Sequence, residues 1–216
     1  MAAAAQKRIA RAVLEEAGQT LAGQAGVRLA DRPAPLWQLL VVVNLVSARI
    51  SADIAVAAAR ELFAAGGTTP AGMAGLSWQE RVDALGRGRY VRYDESTATR
   101  LGECADLAGE RYGGDLRRMG AAAEGRATRL AAALQGFPGI GPTGAAVFCR
   151  EAQAVWPWLR PYADRRARGG AARLGLPSSA KELAALVGGE EMAALTAGLV
   201  RASRDADVAR RVRAAA

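Results

Sequence analysis

Apolar residues recur along most of the chain at intervals of three and four, the spacing of one helix face. The first such stretch passes through Ile9, Val13, Leu14 and Leu21 and predicts a single helix ending near Gly23 and Gly26. Asp31-Arg-Pro-Ala-Pro then breaks the pattern before an apolar helix over 36–48, whose run from Leu39 to Val46 is interrupted only by Asn44. Asp53 opens another helix, closed by Gly66-Gly67. Ser77-Trp-Gln-Glu80 has capping-box spacing, and Gly86 and Gly88 end the short helix that follows. A loop over 88–95 precedes a long helix over 96–112, stopped at Gly113-Gly114 by a left-handed cap. Beyond 115–119 come a short helix over 127–134, a tight turn in Gly136-Phe-Pro-Gly-Ile-Gly-Pro142, and a helix over 143–155. Pro157 and Pro161 bracket a second loop before a helix over 164–174. Ser179-Ala-Lys-Glu182 is a second capping box, leading into 183–187, and helices over 192–203 and 208–213 follow. No segment carries the period-two alternation of a strand and no repeat is visible, so the expected class is all-α.

Composition narrows the chemistry. A chain of 216 residues suits one larger domain or two small lobes, and 51% hydrophobic against 23% charged residues excludes a wholly disordered chain. The chain contains no histidine, which removes Ser-His-Asp and Cys-His nucleophile systems, HExxH metal sites and histidine proton shuttles. Cys104 and Cys149 are too few for a four-thiolate zinc site or a four-cysteine iron–sulfur cluster, and are expected as reduced, buried thiols of a cytosolic protein. Lys7 and Lys181 are the only lysines among 29 basic residues, so amine chemistry has few places to live. The formal charge of +8 makes a polyanion the first partner to consider. The longest apolar run falls far short of the ~20 residues of a spanning helix, and charges through Glu15 and Glu16 argue against a secretory signal. No membrane partner is expected.

The turn at 136–142 is the most informative stretch. Gly139 and Gly141 let the backbone bend sharply and approach another chain closely. Pro142 suits the first helical position, where no amide is needed. The amides of the turn and of the helix start would then face outward together, a geometry that binds an anion without side-chain charge. The same pattern also suits a plain glycine-rich link between two helices.

These residues resemble the helix-hairpin-helix of the endonuclease III superfamily of DNA base-excision glycosylases. That family carries a Gly/Pro-rich loop followed by an essential aspartate. Here Trp156-Pro-Trp-Leu-Arg-Pro-Tyr-Ala-Asp164 occupies that place, followed by Arg173-Leu-Gly-Leu176. Upstream, residues 39–51 resemble the helix and loop that place a wedge in the DNA stack, with Arg49 at the wedge position, and Tyr90–Ala98 resembles the loop opening the next long helix. The resemblance spans roughly residues 36–177, most of the chain. It implies two helical lobes with a DNA-binding helix-hairpin-helix and an interlobe cleft. The lobes would be a six-helix-barrel-like one over 36–134, the hairpin over 134–155, and a second lobe of 1–35 with 156–216 carrying Asp164.

What the resemblance implies for chemistry follows residue by residue. Asp164 would stabilise the oxocarbenium-like charge on the sugar and help activate water; an aspartate before a helix also suits an N-cap. Gly139, Ile140, Gly141 and Thr143 would contact DNA, together with Arg49, Arg160, Arg165 and Arg166; Arg168 lies beside them, and a solvated helix face is the plainer reading of these arginines. Trp37, Tyr93, Trp158 and Tyr162 would line a base pocket, or serve as packing. The main-chain carbonyls of Gln135, Phe137 and Ile140 would hold a monovalent cation, K+ or Na+, and no other cofactor is implied.

Several departures shape the expectation. Thr143 stands where the bifunctional branch has its lysine, Gly144 stands where a threonine is common, and the C-terminal cluster cysteines are missing. The expected activity is that of a monofunctional glycosylase acting on damaged double-stranded DNA as a cytoplasmic, nucleoid-associated monomer. The alternatives are a non-catalytic damage-recognition protein, and a glycosylase/lyase using an atypical amine such as the N-terminus.

Overall fold

The computed structural model describes residues 2–216, and every regular element among them is a helix. The chain folds as two compact units: Leu21–Phe148 form one, and the segment ending at Thr20 joins Cys149–Ala216 in the other. These boundaries differ from the expected 36–134, 134–155 and paired chain ends. Residues 21–35 belong with the larger unit because Ala22, Ala25 and Val27 are buried and the Arg60 guanidinium holds the Gln24 carbonyl. The hairpin turn belongs there too, tied through the Pro138 carbonyl to Asn44.

The larger unit is organised by the helix Pro33–Val46. Leu36, Trp37, Leu39 and every residue from Leu40 to Leu45 are buried, so the helix is covered on all sides. Each such aliphatic side chain contributes about 1.5–3 kcal/mol by leaving water. Caps set where its neighbours start. Ser51 accepts the Ile54 amide (3.3 Å) to open Ala52–Ala64, and Ser77 and Glu80 form the full reciprocal box at Trp78–Arg87. Thr69 with Pro70 opens a short helix, Pro70–Gly75, that the hydrophobic spacing did not predict. Asp94–Tyr112 begins two residues earlier than expected and stops at Gly113 in the left-handed region (φ 59°), as the glycine pair predicted.

The smaller unit has its own core, built from Val13, Ala17, Leu174, Leu195, Leu199, Val208 and Val212 among others. The predicted first helix is in fact two elements in two units, Ala2–Ala17 and Leu21–Gln24, because the chain leaves helical geometry after Ala17. The Arg201 guanidinium takes the carbonyls of Ala17 and Gln19 at this break. Two other arginines close helix ends in the same way. Arg81 donates to the Met73 and Leu76 carbonyls (3.0 and 2.6 Å), and Arg160 to those of Gln153 and Ala154 (2.6 and 2.5 Å). At the second predicted capping box only half forms: Ser179 accepts the Glu182 amide, while the Glu182 carboxylate meets the Ser179 hydroxyl rather than its amide. No helix among the described residues is long and apolar enough to cross a membrane.

Arg165–Arg173 packs on Met192–Arg204 at a close crossing. A Cβ added at Gly170 would lie 1.9 Å from the Leu199 carbonyl oxygen, so only glycine fits there. Gly170→Ala is expected to destabilise the protein by about 1–3 kcal/mol through overpacking, read as a lowered urea midpoint at unchanged m-value.

Candidate functional site

The Gly-rich turn lies in the larger unit and its geometry follows from its sequence. The Ile140 amide donates to the Phe137 carbonyl (3.1 Å) across Pro138-Gly139, with Gly139 at φ 81°. Proline before a left-handed glycine is the signature of a type II turn. Gly139 is required twice over: a Cβ there would also sit 2.9 Å from Cδ of Arg100 and 3.2 Å from Nδ2 of Asn44. Gly141 differs from the sequence expectation. Its φ is outside the left-handed region, and a Cβ would point into open space, so it supplies clearance rather than conformation. The Gly141 carbonyl accepts the Ala145 amide (3.0 Å), the first bond of the helix Pro142–Ala152. The amides before Ala145 therefore have no intrahelical acceptor, and Pro142 offers none. Gly139, Gly141 and Thr143 are exposed, whereas Ile140 is buried and anchors the turn.

Two residues beneath the turn escaped the sequence reading. Asn44, the polar break in the apolar run, is 1% exposed and donates to the Pro138 carbonyl (2.7 Å). Arg100 lies against Gly139 and donates to Thr97 Oγ1 (2.6 Å). The polar interruption was the visible signal for Asn44; nothing marked Arg100. Gly144 also has a local reason to be glycine. A Cβ there would lie 2.6 Å from Oγ of Ser47, which is fixed on the Val43 carbonyl (2.7 Å).

Asp164 lies in the smaller unit. It is the N-cap of Arg165–Arg173: Oδ1 accepts the Ala167 amide (2.8 Å), which starts that helix one residue later than predicted. Oδ2 is paired with Nη1 of Arg150, and both side chains are almost buried, at 8% and 3% exposure. Arg150 was missed because it reads as one more basic residue near a helix end. Gln153 was missed too. It is fully buried, and its amide brackets the loop before Asp164: Nε2 donates to the Tyr162 carbonyl (2.9 Å), and Oε1 accepts the Tyr162 amide (3.0 Å). The helix ends at Ala152 rather than 155, and this bracket takes over from it.

The remaining predicted residues divide. Arg165 and Arg166 are exposed, as is Arg168, whose Nε is bound to the Ala163 carbonyl (2.9 Å). Arg160 is not a free phosphate ligand: its guanidinium closes the end of Pro142–Ala152 as described above. Arg49 is exposed in the larger unit. Trp37 cannot line a base pocket, because it is fully buried with its indole N–H on the Gly67 carbonyl (3.1 Å). Tyr93, half-buried, has the Arg92 guanidinium 5.3 Å from its ring centre. Trp158 stacks on Trp156 with centroids 5.5 Å apart. Tyr162 is half-buried, and burial, with Cys149 and Asp164 nearby, pushes its phenol up to about 12. Burial likewise raises the Cys104 and Cys149 thiols to about 12, so none of the three offers acid–base chemistry near neutral pH. The Phe137 carbonyl already accepts the Ile140 amide, leaving it one lone pair, and no His/Cys/Asp/Glu group suited to a metal exists among the described residues.

No family model and no curated protein matches the chain. Among solved structures, a trapped endonuclease III–DNA covalent intermediate, an estranged-adenine complex, is similar at 18% identity and a TM-score of 0.48, over 76% of this chain and 71% of that one.

Gln153→Ala would strand the Tyr162 amide and carbonyl. A loss of about 1–3 kcal/mol in stability is expected, with faster hydrogen exchange at the Tyr162 amide than at amides of the larger unit.

Proposed function

We propose that the chain is a monofunctional DNA glycosylase of base-excision repair. It binds duplex DNA carrying a damaged base, flips that base out of the stack, and hydrolyses its bond to deoxyribose. The observation that carries this reading is the fixed carboxylate of Asp164, held by the Ala167 amide and Arg150 beside the exposed Arg165, Arg166 and Arg168. The exposed turn from Gly139 to Thr143 supports it with a backbone anion clamp that is indifferent to sequence. A monovalent cation on the carbonyls of Gln135, Phe137 and Ile140 belongs to the same reading and would add positive charge where a phosphate approaches.

In this mechanism the C1′–N bond breaks and its electron pair leaves with the base. Positive charge develops on the sugar, and Asp164 stabilises it. Water adds to C1′ and loses a proton, leaving an abasic site and the free base. Flipping costs a few kcal/mol, least for lesions that already pair or stack badly. Thr143 stands at the position where a Schiff-base lysine would be needed, so no lyase step is part of the reading. The atypical N-terminal amine falls on Met1, outside the described residues.

A second reading, a non-catalytic protein that recognises damaged DNA, is favoured by one observation: both Asp164 oxygens already have protein partners.

A panel of lesion-bearing duplexes, read by alkaline cleavage at the abasic product, separates the two. Asp164→Asn preserves the cap but leaves the Arg150 guanidinium facing a neutral amide, so it is assayed below its own melting temperature; the folded variant is expected to lower base release on the order of 100-fold or more with DNA affinity nearly unchanged. Equal release by wild type and variant rejects a catalytic Asp164. Release by neither leaves the binding reading. Borohydride should trap no adduct on abasic DNA.

A Cβ at Gly141 meets nothing within 4 Å, so the stability of Gly141→Ala should hold while affinity for all duplexes falls alike. Unchanged affinity in fluorescence anisotropy would remove the turn as a phosphate clamp. Wild-type affinity should drop steeply with added salt.

A further inference from the structure

We infer that Arg150 is the positioning residue of Asp164 for glycosidic-bond hydrolysis, an inference that rests on the glycosylase reading above. Arg150 lies near the end of Pro142–Ala152 with its side chain 3% exposed. A guanidinium so deeply buried is costly unless paired, and an apolar side chain of similar volume fills such a position at least as well. The partner found is Asp164: one terminal nitrogen of Arg150 meets Oδ2, while the Ala167 amide meets Oδ1.

The arrangement orients the carboxylate without filling it. The helix cap alone would leave the carboxylate free to swing about that one bond. With a directional bond at each oxygen, its plane is fixed. A carboxylate offers about four acceptor positions, and these two bonds take two of them. Arg150 engages end-on through Nη1 rather than through its two-pronged fork, so it occupies one position only. The remaining positions are those that a water molecule or the charge developing on a sugar would use.

Arg150 is itself held in place. Its carbonyl accepts Nε2 of Gln153 (3.0 Å), the same nitrogen that binds the Tyr162 carbonyl. The backbone that carries the cation and the loop that delivers Asp164 thus share one support, while the guanidinium itself is held, among the described residues, by Asp164 alone, its Nε being buried without a hydrogen-bond partner. A requirement for capping alone would be met by asparagine or serine at 164 and needs no buried arginine. The ion pair therefore does something that the cap does not, and fixing the orientation of the carboxylate is what its geometry achieves.

The test measures single-turnover base release by wild type, Arg150→Gln, Arg150→Lys, Asp164→Asn and the Arg150→Gln/Asp164→Asn double variant, on a duplex that the lesion panel shows to be cleaved. Arg150→Gln is expected to lower the limiting rate constant on the order of 100-fold, the scale of a misplaced catalytic group, while the half-saturating concentration stays within about 3-fold. The double variant should be no slower than Asp164→Asn alone, because the two side chains act as a unit. A folded Arg150→Gln variant that releases base at the wild-type rate, while Asp164→Asn does not, overturns the positioning role and leaves the glycosylase reading standing. A double variant slower than Asp164→Asn by the full Arg150→Gln factor also overturns it. Should Arg150→Gln fail to fold, Arg150→Lys decides: lysine keeps the charge but not its placement. A lowered rate at unchanged half-saturation then supports the role, and the wild-type rate overturns it. Base release that is absent from wild type across the panel overturns the glycosylase reading and this inference with it, whereas release unaffected by Asp164→Asn overturns a catalytic Asp164 and this inference while the glycosylase activity stands.

Discussion

A carboxylate and a guanidinium buried side by side constrain everything around them. Neither Asp164 nor Arg150 could remain so nearly closed off without the other, since each alone would be an uncompensated charge in a poorly polarisable interior. The demand propagates outward. Asp164 must start a helix, Arg150 must sit close to the end of one, and the loop between them must close to a fixed length. Gln153 meets that last requirement with one side-chain amide and both backbone groups of Tyr162. Arg160 then closes the carbonyls left open where the first helix stops.

The turn in the larger unit works by different physics. It contains no charged residue of its own, and what it can offer an anion is backbone. Backbone is useful there only if it is held still. Asn44 and Arg100 supply the floor, one by a hydrogen bond to Pro138 and the other by lying directly against Gly139. Rigidity below and clearance above give the amides a preset direction, which lowers the ordering cost of any contact they make.

Much of this architecture was legible in the chain, and what was not had definite causes. The Ser77–Glu80 box and the Gly113 cap are local signals, and each appears where the pattern places it, whereas helical periodicity marked most helices but ran through the break after Ala17 and past the helix end at Ala152. The helix Pro70–Gly75 was hidden because six residues with two glycines carry no usable period; Thr69-Pro70 was its only mark. Trp37 was misread as a ligand-facing aromatic because periodicity cannot distinguish a helix covered on one side from one covered all round. Asp164 was legible as the N-cap of the helix that follows it, yet its partner was not. An arginine that pairs across fourteen residues looks in sequence like any other arginine in a chain that holds so many. Arg160 shows the opposite error, a presumed surface cation committed instead to two carbonyls.

That last habit recurs. Arg81, Arg160 and Arg201 each span two backbone oxygens at a helix terminus. At Arg160 and Arg201 two different nitrogens of the planar fork make the two bonds, while at Arg81 one Nη1 makes both; a lysine presents a strongly hydrated point charge on a flexible stem instead. The scarcity of lysine in this chain therefore has a mechanical side, whatever the origin of its codon usage. Three of its cations behave as rivets for frayed ends, and an evolutionary drift toward lysine at those places would loosen the molecule while leaving its net charge at neutral pH unchanged.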